Sequence, residues 1–216
     1  MAERPAFFIH NKNIISRQYT FDWFSGFAVS QKQKSIKSLH AAILKTDTHA
    51  KQLEISTKSI EPLGVNLSAF NLKLNNYPLE NIFQSAKVFE NGGPYLDLLE
   101  MPPKETKRDE RLHHSGILTA FYYQNEEFPL TPKTAFYDYI YIAAVKQSLT
   151  KAQIHAITNY NYFTDIEFNP AKSINTQART VALIKLILEE YGHLPEFSKE
   201  DFIRYHKEHI AEITLP

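Results

Sequence analysis

The chain has 216 residues, of which 43% are hydrophobic, and this is enough to bury one core in a single domain. Its 24 basic and 24 acidic residues give no net charge, so nucleic-acid binding through bulk charge is excluded and any such contact needs a local patch. The absence of cysteine excludes disulfides and thiolate zinc sites, and without a signal peptide or an apolar run of ~20 residues a cytoplasmic protein is expected.

The first 65 residues are predicted to form an N-terminal extension that packs on a core of residues 66–216. Residues 5–30 alternate roughly between apolar and polar side chains, as short strands do. A helix with an apolar face that includes Ile36 and Leu39 is predicted to follow. Its other face carries Lys32, Lys34 and Lys37. We interpret those lysines as a solvated face in preference to a DNA-binding stripe.

The next predicted helix carries Glu80, Gln84 and Lys87 on one face, because their spacing is i, i+4 and i+7. An ordinary solvated stripe is one explanation. The neighbouring Phe83 and Phe89 instead indicate a largely buried helix, in which a carboxylate and an ammonium are costly unless they have a function. Cleavage of a glycosidic bond is a function that would account for both groups. A carboxylate can stabilise an oxocarbenium-like centre or activate water, and a desolvated lysine can attack an anomeric carbon or its ring-opened aldehyde.

The segment Asn91-Gly-Gly-Pro-Tyr95 is predicted to end this helix, and its two glycines would also let backbone amides approach an anion. A further helix is predicted to begin at Pro102-Pro103. It carries four cations spaced i, i+3, i+4 and i+7, namely Lys104, Lys107, Arg108 and Arg111. Two interpretations stay open: a surface helix with salt bridges to neighbouring acids, or a clamp for a pyrophosphate group.

Four helices are predicted after residue 130: from Thr131-Pro132 to about Gln147, a short one capped by Thr150, one over 175–191 with a glycine cap at Gly192, and one after Ser198. With the few short strands, this pattern predicts an α+β fold that is rich in helix. In Tyr137-Asp138-Tyr139 the aromatic rings are typical of core residues, although one of them can stack on a base.

A polar segment precedes the predicted central helix. It contains Glu167, Asn175, Gln177 and Arg179, which together are typical of a substrate-binding wall. Asn175 can also serve simply as the helix cap. The scattered histidines show no metal-binding spacing, so neither a metal site nor a cofactor is expected.

These residues together resemble the NADAR family, whose name refers to NAD and ADP-ribose associated proteins and which includes the YbiA-like N-glycosidases. The resemblance runs from Leu67-Ser-Ala-Phe-Asn71 to about residue 190. It includes the motifs Glu80-x-x-Phe-Gln-x-x-Lys87, Thr106-Lys-x-x-Glu-Arg111 and Glu167-Phe-Asn-Pro170. The chain departs from the family pattern where Tyr139 and Glu110 replace tryptophan and glycine, and the family's later Trp-Gly is absent.

The sequence is still more similar to a subgroup of this family, that of antitoxins paired with toxins that ADP-ribosylate guanine in DNA. The matching segments are Phe89-Glu-Asn-Gly-Gly-Pro-Tyr95, Lys107-Arg-Asp-Glu-Arg-Leu112, Ala135-Phe-Tyr-Asp-Tyr139 and Ile174-Asn-Thr-Gln-Ala-Arg179. The resemblance implies hydrolysis of the N-glycosidic bond between ADP-ribose and guanine in DNA. It also implies a cognate ADP-ribosyltransferase toxin as a partner.

The hypothesis assigns catalysis to Glu80, Lys87 and Glu167. Glu80 would stabilise positive charge at the anomeric carbon or handle protons. Lys87 would either form a Schiff base or hold a hydroxyl while water attacks directly. The expected substrate-binding residues are Asn71, Gln84, Gly92, Gly93, Tyr95, Lys107, Arg108, Arg111, Tyr139, Asn175, Gln177 and Arg179. Two alternatives are a non-catalytic module that binds ADP-ribose or a toxin, and a glycosidase acting on phosphorylated riboflavin intermediates.

Overall fold

The structure, a computed structural model, describes residues 1–169, 173 and 175–210. Within them, helices predominate over short strands that form three small sheets, so the α+β prediction is confirmed. No helix in these ranges is long and apolar enough to cross a membrane.

The largest sheet joins the beginning of the chain to its last third. Strands β1 (Ala2–His10) and β2 (Asn13–Phe21) form an antiparallel hairpin. Strand β9 (Tyr162–Thr164) lies between β1 and β3 (Gln52–Glu54), antiparallel to the former and parallel to the latter. The strand order is β2-β1-β9-β3. The predicted extension therefore shares a sheet with a strand of the predicted core, and the boundary at residue 65 stays a prediction.

The two smaller sheets lie in the middle of the chain. Their strands are β4 (Lys73–Leu74) with β5 (Tyr77–Pro78), and β6 (Lys87–Phe89) with β7 (Leu118–Tyr123) and β8 (Glu126–Phe128). The α-helices are α1 (Val29–Leu44), α2 (Pro62–Asn66), α3 (Leu79–Ser85), α4 (Pro103–Thr106), α5 (Arg111–His114), α6 (Ala135–Ser148), α7 (Lys151–Ala156), α8 (Gln177–Tyr191) and α9 (Lys199–His209). Short 3-10 helices span Leu96–Glu100 and Ile157–Asn159.

Helix α8 is the central helix that the sequence predicts. Every residue from Gln177 to Leu188 is buried, which matches the nearly continuous apolar run in the sequence. The helix ends at Gly192, whose positive φ of 73° is the left-handed conformation that glycine adopts easily. Helix α6 begins at Ala135, later than the predicted Thr131-Pro132 start, and ends one residue past Gln147.

A buried carboxylate ties α6 to α8 and α9. Asp138 accepts hydrogen bonds from Thr180 Oγ1 at 2.5 Å and pairs with Arg179 at 3.3 Å and His206 at 2.8 Å. Burial opposes ionisation of Asp138, but the Arg179 charge and the His206 hydrogen bond hold its pKa below the usual value. The three helices that form one wall of the core are thus joined at a single charged group.

The N-terminal helix covers the outer face of the largest sheet. The apolar side chains Ile36 and Leu39 of α1 are buried against Tyr19 and Phe21 of β2. Ile166, just after β9, belongs to the same apolar cluster. This packing fixes the segment after β9, which leads directly into the site described next.

Candidate active site

A cleft of about 620 Å³ opens beside the start of α3, the N-terminus of α8 and the segment after β9. It brings together six of the residues proposed from sequence: Glu80, Gln84, Lys107, Glu167, Asn175 and Gln177. Aromatic side chains add an apolar part to the wall, from Phe70, Phe83, Tyr137 and Phe168. Pro170, at the end of the Glu167 motif, lies outside the described residues.

Glu80 occupies the first turn of α3, where a negative charge is favoured by the helix dipole. Its Oε1 accepts a hydrogen bond from Gln84 Nε2 at 2.7 Å, one helical turn later. Lys107 Nζ lies 3.5 Å from the same oxygen. The carboxylate is therefore oriented from two sides, while a side-chain exposure of 29% leaves it accessible from the cleft.

The prediction that one helix carries both Glu80 and Lys87 is wrong. Helix α3 ends at Ser85, and Lys87 begins strand β6, where it pairs with Phe121 of β7. Pairing with a neighbouring strand thus overrides the helical spacing of the sequence. The two groups still interact electrostatically. Burial lowers the pKa of Lys87, the Glu80 charge opposes that shift, and the Lys107 charge adds to it. Lys87 Nζ lies 5.3 Å from the centre of the Phe83 ring, which lines the cleft.

The predicted helix with four aligned cations is also wrong. Helix α4 ends at Thr106 and α5 begins at Arg111, so Lys107 and Arg108 lie in the turn between two short helices. Arg111 bonds Asp97 at 2.6 Å and Asp109 at 2.9 Å, and it stacks on Tyr95 at 4.6 Å. Lys104 and Arg108 are exposed. Lys107 lines the cleft, whereas the other three cations are not among the cleft-lining residues.

The glycine turn follows β6 instead of ending α3 directly. Gly93 has a positive φ of 88°, and a Cβ atom there would meet the backbone carbonyl of Lys87. A Cβ atom at Gly92 would meet the hydroxyl of Tyr95, which bonds Ser115 at 2.5 Å. Close packing around β6 thus explains both glycines, and the turn is not among the cleft-lining segments. Anion binding by their amides stays a prediction.

The expected stacking residue Tyr139 points away from the cleft. Its ring packs 5.1 Å from Phe128 and 5.3 Å from Phe202. Tyr137, two positions earlier on α6, lines the cleft and makes an edge contact with Phe83 at 5.5 Å. Positions i and i+2 of a helix lie on nearly opposite sides, so only one of the two tyrosines can face the site.

Two other proposed binding residues bond to other parts of the chain and are not among the cleft-lining residues. Asn71 Nδ2 donates to the Val65 carbonyl at 2.8 Å, at the end of α2. Arg179 is buried beside Asp138, behind the cleft wall. Gln177, by contrast, does line the cleft, and its amide bridges two segments: it donates to Asp165 at 2.9 Å and accepts from the Ala69 amide at 2.7 Å.

Two carboxylates that the sequence analysis did not select lie at and behind the cleft wall. Asp165 lines the cleft, and its Oδ1 accepts from the backbone amides of Glu167 and Phe168 at 3.0 and 3.1 Å. Glu54 is buried behind it and accepts from Thr164 Oγ1 at 2.6 Å and from the Ile166 amide at 2.8 Å. The available signal was Glu54 itself, a charged residue between the apolar Leu53 and Ile55.

The two carboxylates affect each other's ionisation. Burial, and then the nearby charge of Glu54, raise the pKa of Asp165 to about 8. Burial also raises the pKa of Glu54, against the hydrogen bonds from Ile166 and Thr164. Asp165 is therefore mostly protonated at neutral pH and can act as a proton donor in the cleft.

The fold and the cleft together define an α+β domain with a polar cleft lined by carboxylates, a lysine and aromatic rings. The chain belongs to the family described as DarT1-associated NADAR antitoxin, which it matches over residues 2–214. The resemblance to NADAR proteins and to their antitoxin subgroup is thereby confirmed, and the match includes the N-terminal region. No curated protein is similar enough to the chain to count as a match.

Proposed function

We propose that the chain is an N-glycosidase that removes ADP-ribose from guanine bases of DNA and so reverses the action of a DarT1-type toxin. The observation that carries the proposal is the position of Glu80. Gln84 and Lys107 orient its carboxylate at the cleft, and a second carboxylic acid with a raised pKa, Asp165, lines the same cleft. A carboxyl group that pairs with a cation, together with one that burial keeps protonated, is the combination that cleavage of a glycosidic bond uses.

The size and lining of the cleft support a nucleotide-like substrate. Its volume of about 620 Å³ lies within the ~300–1,000 Å³ range of small-molecule sites. The Phe83 and Tyr137 rings offer stacking surfaces for an aromatic base. Lys107 offers a cation for a phosphate group, and the Gln177 and Asn175 side chains offer polar contacts for the sugar.

In the proposed reaction, the bond between the anomeric carbon of the ribose and a guanine nitrogen breaks. Asp165 donates a proton to that nitrogen as the base leaves, and the Glu80 carboxylate stabilises the positive charge at the anomeric carbon. Glu167, also at the cleft, is the base assigned to receive a proton from the attacking group. Water supplies the oxygen that ends on the released ADP-ribose.

Lys87 has two roles that the proposal keeps open. As a neutral amine it attacks the anomeric carbon and displaces guanine, which leaves with the proton from Asp165. The resulting ribosyl amine opens to an imine, and water hydrolyses the imine to release ADP-ribose and restore the lysine amine. Alternatively, water attacks the anomeric carbon directly and Lys87 holds a hydroxyl of the ribose. Burial of Lys87 lowers its pKa and raises the fraction of neutral amine, which favours the first role.

The decisive experiment incubates the purified chain with an oligonucleotide that carries ADP-ribosylated guanosine and measures free ADP-ribose and restored guanosine. We expect turnover by the wild type and a loss of at least ~100-fold in kcat in Glu80→Gln. Glu105→Gln, an exposed acid on α4 outside the cleft, is the matched control. Tight binding without release by the wild type would support the non-catalytic module, and release only from phosphorylated riboflavin intermediates would support the other alternative.

A further inference from the structure

The loop between β2 and α1 exposes aromatic side chains to solvent. Phe27 is fully exposed at 102% and Phe24 is 39% exposed. Beside them, the half-buried Trp23 packs on Phe21 at 6.3 Å. Rings exposed in one short loop mark an interaction site more often than single exposed apolar residues do.

Cations surround the Trp23 ring. Lys32 Nζ lies 4.4 Å from the centre of the Trp23 ring, and the Arg4 guanidinium carbon lies 5.5 Å from it. The first 40 residues contain six lysines and arginines and two acidic residues, although the whole chain is neutral. We call Arg4, Trp23, Phe24, Phe27 and Lys32 the aromatic-cationic surface. Such a combination of rings and cations is typical of surfaces that bind single-stranded nucleic acid.

This surface lies at the same end of the large sheet as the cleft. Ala6 of β1 pairs with Thr164 of β9, so the antiparallel strands bring the beginning of β1 beside the segment that follows Thr164. Ile166 is buried in the apolar cluster against which Trp23 packs, while its neighbours Asp165 and Glu167 line the cleft. The cleft and the aromatic-cationic surface are thus on two sides of one short segment.

We propose that the aromatic-cationic surface binds single-stranded DNA next to a modified guanine held in the cleft. The placement of the guanine rests on the proposed function. The exposed rings would stack on unpaired bases, while Lys32 and Arg4 contact phosphates. Stacking needs bases that are not paired, so the single strand is the favoured form of the substrate. Under this proposal Lys32 contacts DNA, whereas the sequence pattern favoured a solvated face for it.

Tryptophan fluorescence reports on this surface directly, because Trp23 is the only tryptophan in the sequence. We expect an unmodified single-stranded oligonucleotide of about ten nucleotides, within the ~4–16 typical of stacking grooves, to quench its fluorescence. Phe27→Ala is expected to weaken the affinity about tenfold. Lys32→Ala is expected to lower the slope of log K against log salt by about 0.7. Lys151→Ala, an exposed lysine on α7, is the charge-matched control and is expected to match the wild type.

A second measurement separates this proposal from the proposed function. The ratio of kcat/KM for an ADP-ribosylated oligonucleotide to that for the ADP-ribosylated nucleoside is expected to fall about tenfold in Phe27→Ala. If the wild type releases ADP-ribose from neither substrate, the proposed function fails, and the fluorescence titration still tests the surface. Fluorescence that does not respond to single-stranded DNA, or responds equally in all variants, would overturn the inference, and a surface for a protein partner would give that result.

Discussion

Lys107 Nζ lies 3.5 Å from Glu80 Oε1 and joins the turn after α4 to the first turn of α3. Because the lysine side chain is 62% exposed, the pair is expected to contribute less than ~1 kcal/mol to stability. Under the proposed function its importance lies in the cleft, where Lys107 is assigned to a phosphate group of the substrate.

Lys107→Ala should therefore raise KM for the modified oligonucleotide about tenfold and leave the melting temperature nearly unchanged. Steady-state kinetics of ADP-ribose release, with thermal unfolding alongside, measure both effects. Lys104→Ala is the matched control, since Lys104 is exposed on α4 and is not among the cleft-lining residues. Equal losses in the two variants would show that bulk charge, and not this position, matters.

The imine mechanism predicts a covalent intermediate on Lys87. Reduction with borohydride during turnover is expected to trap a protein–ADP-ribose adduct in the wild type and none in Lys87→Ala. Lys107→Ala should still give the adduct at saturating substrate, because its amine is assigned to phosphate binding. An adduct that survives Lys87→Ala in mass spectrometry would remove the imine mechanism and leave direct attack by water.

Asp165 should make stability fall as pH rises. Its pKa is raised to about 8 in the folded chain, whereas the unfolded value is ~3.9, so between these values the native state holds a proton that the unfolded state has lost. The contribution of Asp165 to the free energy of unfolding falls by at most ~1.4 kcal/mol per pH unit. It is fully present when the pH is below the pKa of Asp165 in the unfolded chain.

Denaturant unfolding of the wild type and Asp165→Asn from pH 5 to 8 measures this effect as a difference between the two curves. We expect the free energy of unfolding of the wild type, relative to that of Asp165→Asn, to fall steadily from pH 5 to 8. Asp22→Asn, an exposed acid, is expected to run parallel to the wild type. Parallel curves for Asp165→Asn would mean that Asp165 ionises normally and is not the proton donor.

Removing the carboxylate at the junction of α6, α8 and α9 should be severe. Asp138→Ala leaves Arg179 and His206 buried without the carboxylate they share, and such losses typically cost about 3–5 kcal/mol. Asp138→Asn keeps a hydrogen-bond acceptor and is expected to lose less. Calorimetric unfolding of the two variants checks the order, and a loss under ~1 kcal/mol in Asp138→Ala would contradict the structural role.

Helices with a clear periodic pattern and a cap were predictable from the sequence. Thr150 caps α7 with Gln153, Ser198 caps α9, and Gly192 ends α8, as the local residues indicate. Each of these signals is local, because the capping side chain or glycine acts within one turn of its own helix.

The failures share one physical cause, which is pairing with distant residues. Lys87 lies in a strand and not in the predicted helix because it pairs with Phe121. Arg111 does not align with the other cations because it bonds the carboxylate of Asp97. Asp165 was overlooked because its importance depends on Glu54, more than a hundred residues earlier. Sequence spacing describes one element at a time and carries no information about such partners.

The position of β9 between β1 and β3 has a consequence for the life of the chain in the cell. Strand β9 follows both β1 and β3 by more than a hundred residues, and all three must meet before the sheet that supports the cleft segment after β9 exists, so synthesis has to pass Thr164 first. A ribosome that stalls earlier, or a protease that removes the first ten residues, yields a chain without that support, and under the proposed function the modified DNA of such a cell then stays unrepaired.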